Sequence, residues 1–468
     1  MARLTIPSPP QTQGLSSKTF CPPPLDGSLL FGQISEWHEQ HSPHHRLFTY
    51  VDDTDRIQDI TWSDAARAIR AGAWLARECV PWKQEMGKAP IIGILAASDT
   101  IPYATMVMGI VHAGYVAFII SIRNSPAAVA HLLNNVEVNH VLVGREQASQ
   151  DLIQEAIVML KSQYSSAGIP SVSAMPVYED LYSPLSVPSL ADELPCSLLS
   201  LDAPTLILHS SGSTAFPKPI IYTNRRVLEL GTTPYYGELD ITGLVFSIHM
   251  MPMFHSIGIM HVILGASCGI VTAVFAPKSP PAAPTTETVF QGAKACGCDI
   301  IIVTPAFVEC ALESWSRNPE YVAWLATLKF LWFGGGPLNK EVGDFLSSQG
   351  VSLCMGYGLT EAGCISVFIP ARSYPDWEYI PFNPAITAHM LPQGDGTYEL
   401  IVLASERDHP CLINTQVDGV DAYSTSDRLA PHPSLPGFWR IVGRTDDQIM
   451  HSTGEKASVV CVSNALIN

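Results

Sequence analysis

Short apolar runs recur along the chain, separated by stretches with helical periodicity. Pro90-Ile-Ile-Gly-Ile-Leu95 reads as a buried strand, as do Tyr115–Ile120, His140–Val143, Thr205–Leu208, Asp299–Val303 and Leu328–Phe333. Ala65, Ile69, Gly72 and Leu75 fall on one face of a helix that Ser63 is placed to cap. Tyr103–His112 and Ser125–Asn134 read as further helices. Strands alternating with helices predict a layered α/β core on a parallel sheet, because the returning helices cover the sheet faces. Ser165–Ser200 is rich in proline and serine and reads as a connection between two halves. Glycine, proline and aspartate grow denser from Arg372 to Pro436, where Tyr398–Leu403 and Phe438–Val442 predict a small β-rich lobe.

Two uncharged runs, Thr100–Ile122 and Ile241–Pro277, each exceed the roughly 20 residues that a membrane-spanning helix needs. Pro102, His112 and Gly114 interrupt the first, and Pro252, His255, His261 and several glycines interrupt the second. Neither has flanking basic clusters or an aromatic belt, so each reads as a buried helix followed by a buried strand. The first residues, Met1–Leu29, are proline-rich and polar and lack an apolar signal core, which predicts a tail draped over the fold or loose.

Composition narrows the partners. The 468 residues carry 26 basic and 43 acidic side chains, a formal charge of −17. That balance argues against nucleic acid or an anionic membrane as a general partner, while leaving room for one local anion pocket. The 11 cysteines are scattered, with one tight pair at Cys296-Gly-Cys298 and no second pair or histidine cluster to complete a zinc site. Reduced thiols in the cytoplasm fit this pattern. His41, His44 and His45 read as a solvated surface run.

Four segments carry chemistry. His209-Ser-Ser-Gly-Ser-Thr-Ala-Phe-Pro-Lys218 leaves a short buried strand and offers hydroxyls, backbone N–H groups and a lysine to an anion. It lacks the ending of a Walker A loop, and read alone it is a surface turn more readily than an anion site. Gly356-Tyr-Gly-Leu-Thr-Glu361 follows the apolar run Val351–Met355. Tyr357 can stack a base, Thr360 can bond a phosphate oxygen and Glu361 can hold Mg²⁺; the plain alternative is a tight glycine turn with a capping Thr/Glu pair. Ser424-Thr-Ser-Asp-Arg428 places an aspartate to accept from ribose hydroxyls, or makes an Asx turn. Gly443-Arg-Thr-Asp-Asp-Gln-Ile449, followed by Thr453-Gly-Glu-Lys456, suits a hinge or a solvated turn. A fifth match, Gly265-Ala-Ser-Cys-Gly269, has the spacing of a hydrolase nucleophile elbow. It lies in a long apolar run without ordered acid and histidine partners, and reads as small residues packing a buried helix.

In this order and spacing the four segments resemble the adenylate-forming superfamily, from about Ser28 to Lys456. The wording around Phe333-Gly-Gly-Gly-Pro-Leu338 and Thr453-Gly-Glu-Lys456 is most similar to fungal peptide-synthetase-like adenylation domains, as in adenylate-forming carboxylic acid reductases. The resemblance implies an α/β large lobe of two layered subdomains plus a small β-rich one, with most of the C-terminal lobe missing. Its divisions would be a tail at 1–27, the adenylation lobe at 28–443, and a hinge and C-terminal stub at 444–468.

By resemblance, Ser210, Ser211, Gly212, Ser213, Thr214 and Lys218 would wrap the β- and γ-phosphates of ATP. Met355, Gly356 and Tyr357 would line the adenine side, with Thr360 at the α-phosphate and Glu361 at Mg²⁺. Asp427 would bind the ribose with help from Arg444, and Asp446 would be the hinge pivot. His255 would sit between nucleotide and acyl pocket, with Thr304, Gly334 and Gly335 as further pocket walls. Amino-acid-activating relatives place an aspartate near Phe254 to pair with the substrate ammonium, whereas here His255 follows the phenylalanine. An unpaired ammonium in an apolar pocket is costly, so the implied substrate is a non-amino carboxylic acid, aryl or small and apolar. The implied acyl acceptor is a carrier phosphopantetheine or coenzyme A, with a carrier and a reductase or thioesterase as partners. Two departures stand out: Ala215 replaces the usual glycine of the phosphate loop, and the residues after Lys456 do not follow the family's continuation. A free-standing acyl-CoA ligase relative and a catalytically incomplete nucleotide-binding remnant are the alternatives.

Overall fold

A computed structural model describes residues 6–82, 87–164, 168–183, 200–210, 216–309, 315–446, 448–450 and 456–458. Three large sheets organise them. The first has seven strands in the order Leu353–Gly356, Phe330–Gly334, Ile300–Val303, Val245–Ser247, Val271–Ala273, Arg46–Val51 and Ile57–Thr61. All neighbours run parallel except the last pair. The second has six strands in the order Ser171–Ala174, His140–Val143, Ile91–Leu95, Val116–Ile119, Pro204–Ser210 and Lys218–Thr223, again parallel except for the last pair. Ile91–Leu95, Val116–Ile119, His140–Val143 and Ile300–Val303 are buried throughout, which is why they read as unbroken apolar runs rather than alternations. The third sheet is antiparallel, in the order Ile380–Pro381, Phe438–Arg444, Val420–Pro431, Tyr398–Leu403 and Thr387–Pro392, with Thr415–Val417 paired to Val420–Pro431.

One continuous apolar core joins the first two sheets through two helices, Trp62–Cys79 and Thr100–His112. Every residue from Ile101 to His112 is buried, so this helix has no polar face. The two helices meet at glycines: a Cβ on Gly109 would lie 2.8 Å from the backbone carbon of Gly72. Thr61, not Ser63, caps the first helix, in a capping box with Asp64. The long uncharged runs resolve into this helix with strand Val116–Ile119, and into helix Ser256–Cys268 flanked by two short strands. Among the described residues no helix is long and apolar enough to cross a membrane.

Other expectations are corrected. The stretch read as a connection contributes Ser171–Ala174, the edge strand of the second sheet, and helix Tyr178–Tyr182. His45 is not solvated: it is 3% exposed, and its ring bonds the carbonyl of Gly269 at 2.8 Å and the hydroxyl of Thr19 at 2.9 Å. Ser267 of the elbow-like motif is buried inside helix Ser256–Cys268, where Gly265 makes room for Leu47. The N-terminal segment is fastened to the lobe by Gln13, whose buried amide donates to the carbonyls of Pro234 (3.0 Å) and Leu239 (2.9 Å) and accepts from the N–H of Ile241 (2.9 Å).

Candidate functional site

The carboxyl ends of strands Pro204–Ser210, Phe330–Gly334 and Leu353–Gly356 converge on a cavity of about 380 Å³. Ligands in open α/β sheets sit at such strand ends, where the connecting loops diverge. The cavity brings together Ser210, His255, Gly335, Gly356, Tyr357, Thr360 and Glu361. Its wall does not include Lys218, Thr304, Gly334, Met355, Asp427 or Arg444. Lys218 is exposed and pairs with Ser210 in the strand register, so the two bracket Ser211, Gly212, Ser213, Thr214 and Ala215, which lie outside the described residues. Asp447 and the Thr453-Gly-Glu segment also lie outside them.

The glycines have separate jobs. Gly334 and Gly356 are register partners on adjacent strands, and the indole of Trp332 lies across both. A Cβ on Gly356 would fall within the indole, and one on Gly334 would lie 2.7 Å from it. Trp332 is held there by its N–H, which donates to the carbonyl of Phe368 at 3.2 Å. Gly335, at φ +82°, turns the chain into the cavity wall. Gly334 is therefore a support for Trp332 rather than a wall. Met355 packs between the cores of the first and third sheets, and the backbone N–H of Thr304 points to the sulfur of Met250 at 3.3 Å.

His255 caps helix Ser256–Cys268: its Nδ1 accepts from the N–H of Ile257 at 3.3 Å. A second histidine faces the same cavity, His209, which directly precedes Ser210. Its Nε2 accepts from the N–H of Ser121 at 3.0 Å and lies 3.2 Å from the amide nitrogen of Asn124. Burial, with His255 close by, pushes its pKa down to about 4, so the ring is neutral near pH 7. Arg123, on the same segment, stands over the ring of Phe254 at 5.5 Å. His209, Asn124, Arg123, Trp332 and Tyr222 were not among the residues expected from sequence. Only His209 gave a signal, through its place in the motif.

The segment Tyr357–Glu361 faces this wall. Tyr357 donates its hydroxyl to Asp427 at 2.7 Å, and the other oxygen of Asp427 accepts from Arg444 at 2.5 Å. Arg444 also grips Asp446 through two bonds of 2.7 and 2.8 Å. Burial works against the guanidinium, but Asp446 and Asp427 hold its pKa above the ordinary value. Asp427 is 2% exposed and reaches the cavity through Tyr357. Glu361 is 8% exposed and lines the cavity directly. Its carboxylate makes no hydrogen bond or ion pair with a described residue. The rest of the wall is largely apolar, with Leu206, Leu230, Ile259, Met260, Ile263 and Trp332. No group of three or more His, Cys, Asp and Glu side chains that could hold a metal ion occurs among the described residues.

Comparison with known proteins bears on the family and the fold. The profile of the AMP-binding enzyme family matches residues 35–387. The adenylate-forming reductase Nps10 of Heterobasidion annosum is 44% identical over 97% of this chain, and the match covers 42% of the relative. A carboxylic acid reductase of Neurospora crassa is 27% identical over 89% of this chain and 39% of its own length. The adenylation and carrier didomain of a carboxylic acid reductase from Segniliparus rugosus, solved with AMP, superposes with a TM-score of 0.65 at 15% identity, covering 94% of this chain and 68% of that one. This chain thus spans about two fifths of the length of those curated relatives. Its three-sheet lobe is the N-terminal lobe of adenylate-forming enzymes, and the chain belongs to the AMP-binding enzyme family.

Proposed function

We propose that this lobe activates a non-amino carboxylic acid, aryl or small and apolar, as its acyl-adenylate. The observation that carries the reading is the cavity wall: among the described residues Glu361 is its only carboxylate, and it stands on the nucleotide-side turn. An α-ammonium group would find no second acid among the described residues of the wall, and would meet the Arg123 cation there instead.

In the reaction a substrate carboxylate oxygen attacks the α-phosphorus of ATP, the bond to pyrophosphate breaks, and acyl-AMP forms. The lobe contributes position and charge compensation rather than a nucleophile. Ser210 and Lys218, with 211–214 between them, bind the outer phosphates. Tyr357 and Gly356 take the adenine side, Thr360 the α-phosphate, and Asp427 with Arg444 the ribose. His255 orients the carboxylate beside the neutral ring of His209. Glu361 fits a magnesium ion because it is a hard oxygen donor, buried, and without a hydrogen-bond or ion-pair partner among the described residues. When bound, the ion neutralises charge on the phosphate oxygens. Asp446 acts as the hinge. The acyl group then passes to a thiol, of a carrier phosphopantetheine or coenzyme A, with a reductase or thioesterase in the larger assembly. The described cysteines are free thiols, in keeping with a cytoplasmic enzyme.

ATP–pyrophosphate exchange over a panel of aryl, aliphatic and α-amino acids tests this. Aryl or small apolar acids are expected to stimulate exchange, and preference for an α-amino acid would overturn the reading.

A further inference from the structure

The turn that carries Thr360 and Glu361 is held by Tyr222, which also lines the cavity, and by Arg226 and Cys411, which do not. Three consecutive carbonyls are each taken by a different donor. The hydroxyl of Tyr222 donates to the carbonyl of Thr360 at 2.5 Å, the N–H of Cys411 to that of Glu361 at 2.7 Å, and the Arg226 guanidinium to that of Ala362 at 2.5 Å. The N–H of Ala362 closes the turn on the carbonyl of Leu359 at 3.1 Å. The donors come from strand Lys218–Thr223, helix Asn224–Thr232 and the loop before strand Thr415–Val417, so the turn is fixed to the second sheet although it leaves the first.

Arg226 is itself immobilised. It is 3% exposed, and its Nη1 reaches Asp408 at 2.5 Å and Glu229 at 3.5 Å. Glu229 is in turn held by the ring of His409 at 2.7 Å and the N–H of His409 at 3.0 Å. Gly363, at φ +74°, admits the guanidinium where any Cβ would overlap it. Two buried carboxylates thus face one guanidinium whose second nitrogen is committed to the turn. A buried ionic cluster adds little net stability over an apolar one, which leaves geometry as what it supplies.

We propose that Arg226 and Tyr222 are positioning residues for metal–nucleotide binding. They fix the backbone of 360–362 so that the Glu361 carboxylate enters the cavity without being drawn to a protein partner. This rests on the proposed nucleotide function. Arg226→Lys keeps a cation against Asp408 but loses the fork that reaches Ala362. Tyr222→Phe deletes one hydroxyl and leaves every charge in place.

The test is calorimetric binding by the full chain: ATP with and without Mg²⁺, and AMP in EDTA. The magnesium-dependent gain in ATP affinity is expected to fall about tenfold in Arg226→Lys and about threefold in Tyr222→Phe, as for loss of one charged and one neutral hydrogen bond. AMP binding in EDTA, which keeps the Thr360 contact but has no metal, is expected to fall by a smaller factor than the magnesium gain. An unchanged magnesium gain in Tyr222→Phe would overturn the proposal. So would parallel loss of AMP and ATP affinity, which a merely structural role produces. If Arg226→Lys does not fold, Tyr222→Phe decides alone. A wild-type chain that binds neither nucleotide would instead remove the functional reading beneath it. One that binds both without a magnesium gain would sink the clamp and leave that reading standing.

Discussion

Two buried carboxylates border the same tyrosine segment and differ in every other respect. Asp427 is matched on both oxygens, by the hydroxyl of Tyr357 and by Arg444, which Asp446 holds in place. Glu361 has its backbone pinned and its carboxylate unmatched by any described residue. Burying a carboxylate is costly unless it is paired, so Asp427 is compensated within the lobe, whereas Glu361 is left to the cation of the proposed function. On that proposal, a buried acid whose backbone is over-determined and whose side chain is left open is held ready for a ligand, and its cost is offset by packing elsewhere.

The largest effect is expected where the matched corner is broken. Arg444→Leu leaves Asp427 buried without its guanidinium and should lower unfolding stability by about 3–5 kcal/mol, read by urea denaturation. Glu361→Gln is the opposite case. It should leave stability within about 0.5 kcal/mol of wild type, while ATP–pyrophosphate exchange falls at least about a hundredfold. A large stability loss in that variant would show that Glu361 has a structural partner after all. Gly356→Ala probes the support common to both corners, since it pushes Trp332 off its bed at the start of the Tyr357 segment. A loss of about 1–3 kcal/mol is expected, and adding Trp332→Leu should restore part of it if the indole is the obstacle.

Per group and per pH unit, the smallest effect concerns buried bases. Burial lowers the pKa of His38 and His249 to about 3 and of His209 and His261 to about 4. Below the ordinary histidine value the unfolded chain binds more protons at these sites, so their contribution to stability falls as pH drops from 6.5 towards those values. Asp99, raised to about 6 by burial, acts in the opposite sense between its ordinary value and pH 6. The histidines outnumber it, so stability should decline below pH 6.5, with a slope of at most about 1.4 kcal/mol per pH unit for each histidine. Replacing His261 by Leu should flatten the pH profile of thermal melting, and an unchanged profile would assign the slope to other groups.

Much of the fold was legible because parallel strands buried on both faces announce themselves as apolar runs. His140–Val143 begins and ends where the pattern predicts, Ile91–Leu95, Val116–Ile119 and Ile300–Val303 differ at the ends by a residue, and the antiparallel Tyr398–Leu403 also matches its predicted bounds. Ser171–Ala174 escaped because an exposed edge strand needs no apolar run, and serines serve as well. The candidate site was legible in part as motif order, in that Ser210, His255 and the turn at Gly356–Glu361 line one cavity. Its supports were not legible. Arg226 meets Asp408 and Ala362 across more than a hundred residues of chain, and nothing local to Arg226 distinguishes it from a helix-surface arginine. Trp332 likewise reads as one more apolar strand residue until the paired glycines are seen beneath it.

Gln13 has a practical consequence for anyone expressing this lobe. Its one side chain closes three backbone groups, those of Pro234, Leu239 and Ile241, in the interior. A chain shortened to begin at Ser28 would look tidy in sequence and would leave those groups open beneath helix Ser256–Cys268. Poor yield from such a truncation would then report a missing plug at the back of the lobe and say nothing about the nucleotide pocket on its front.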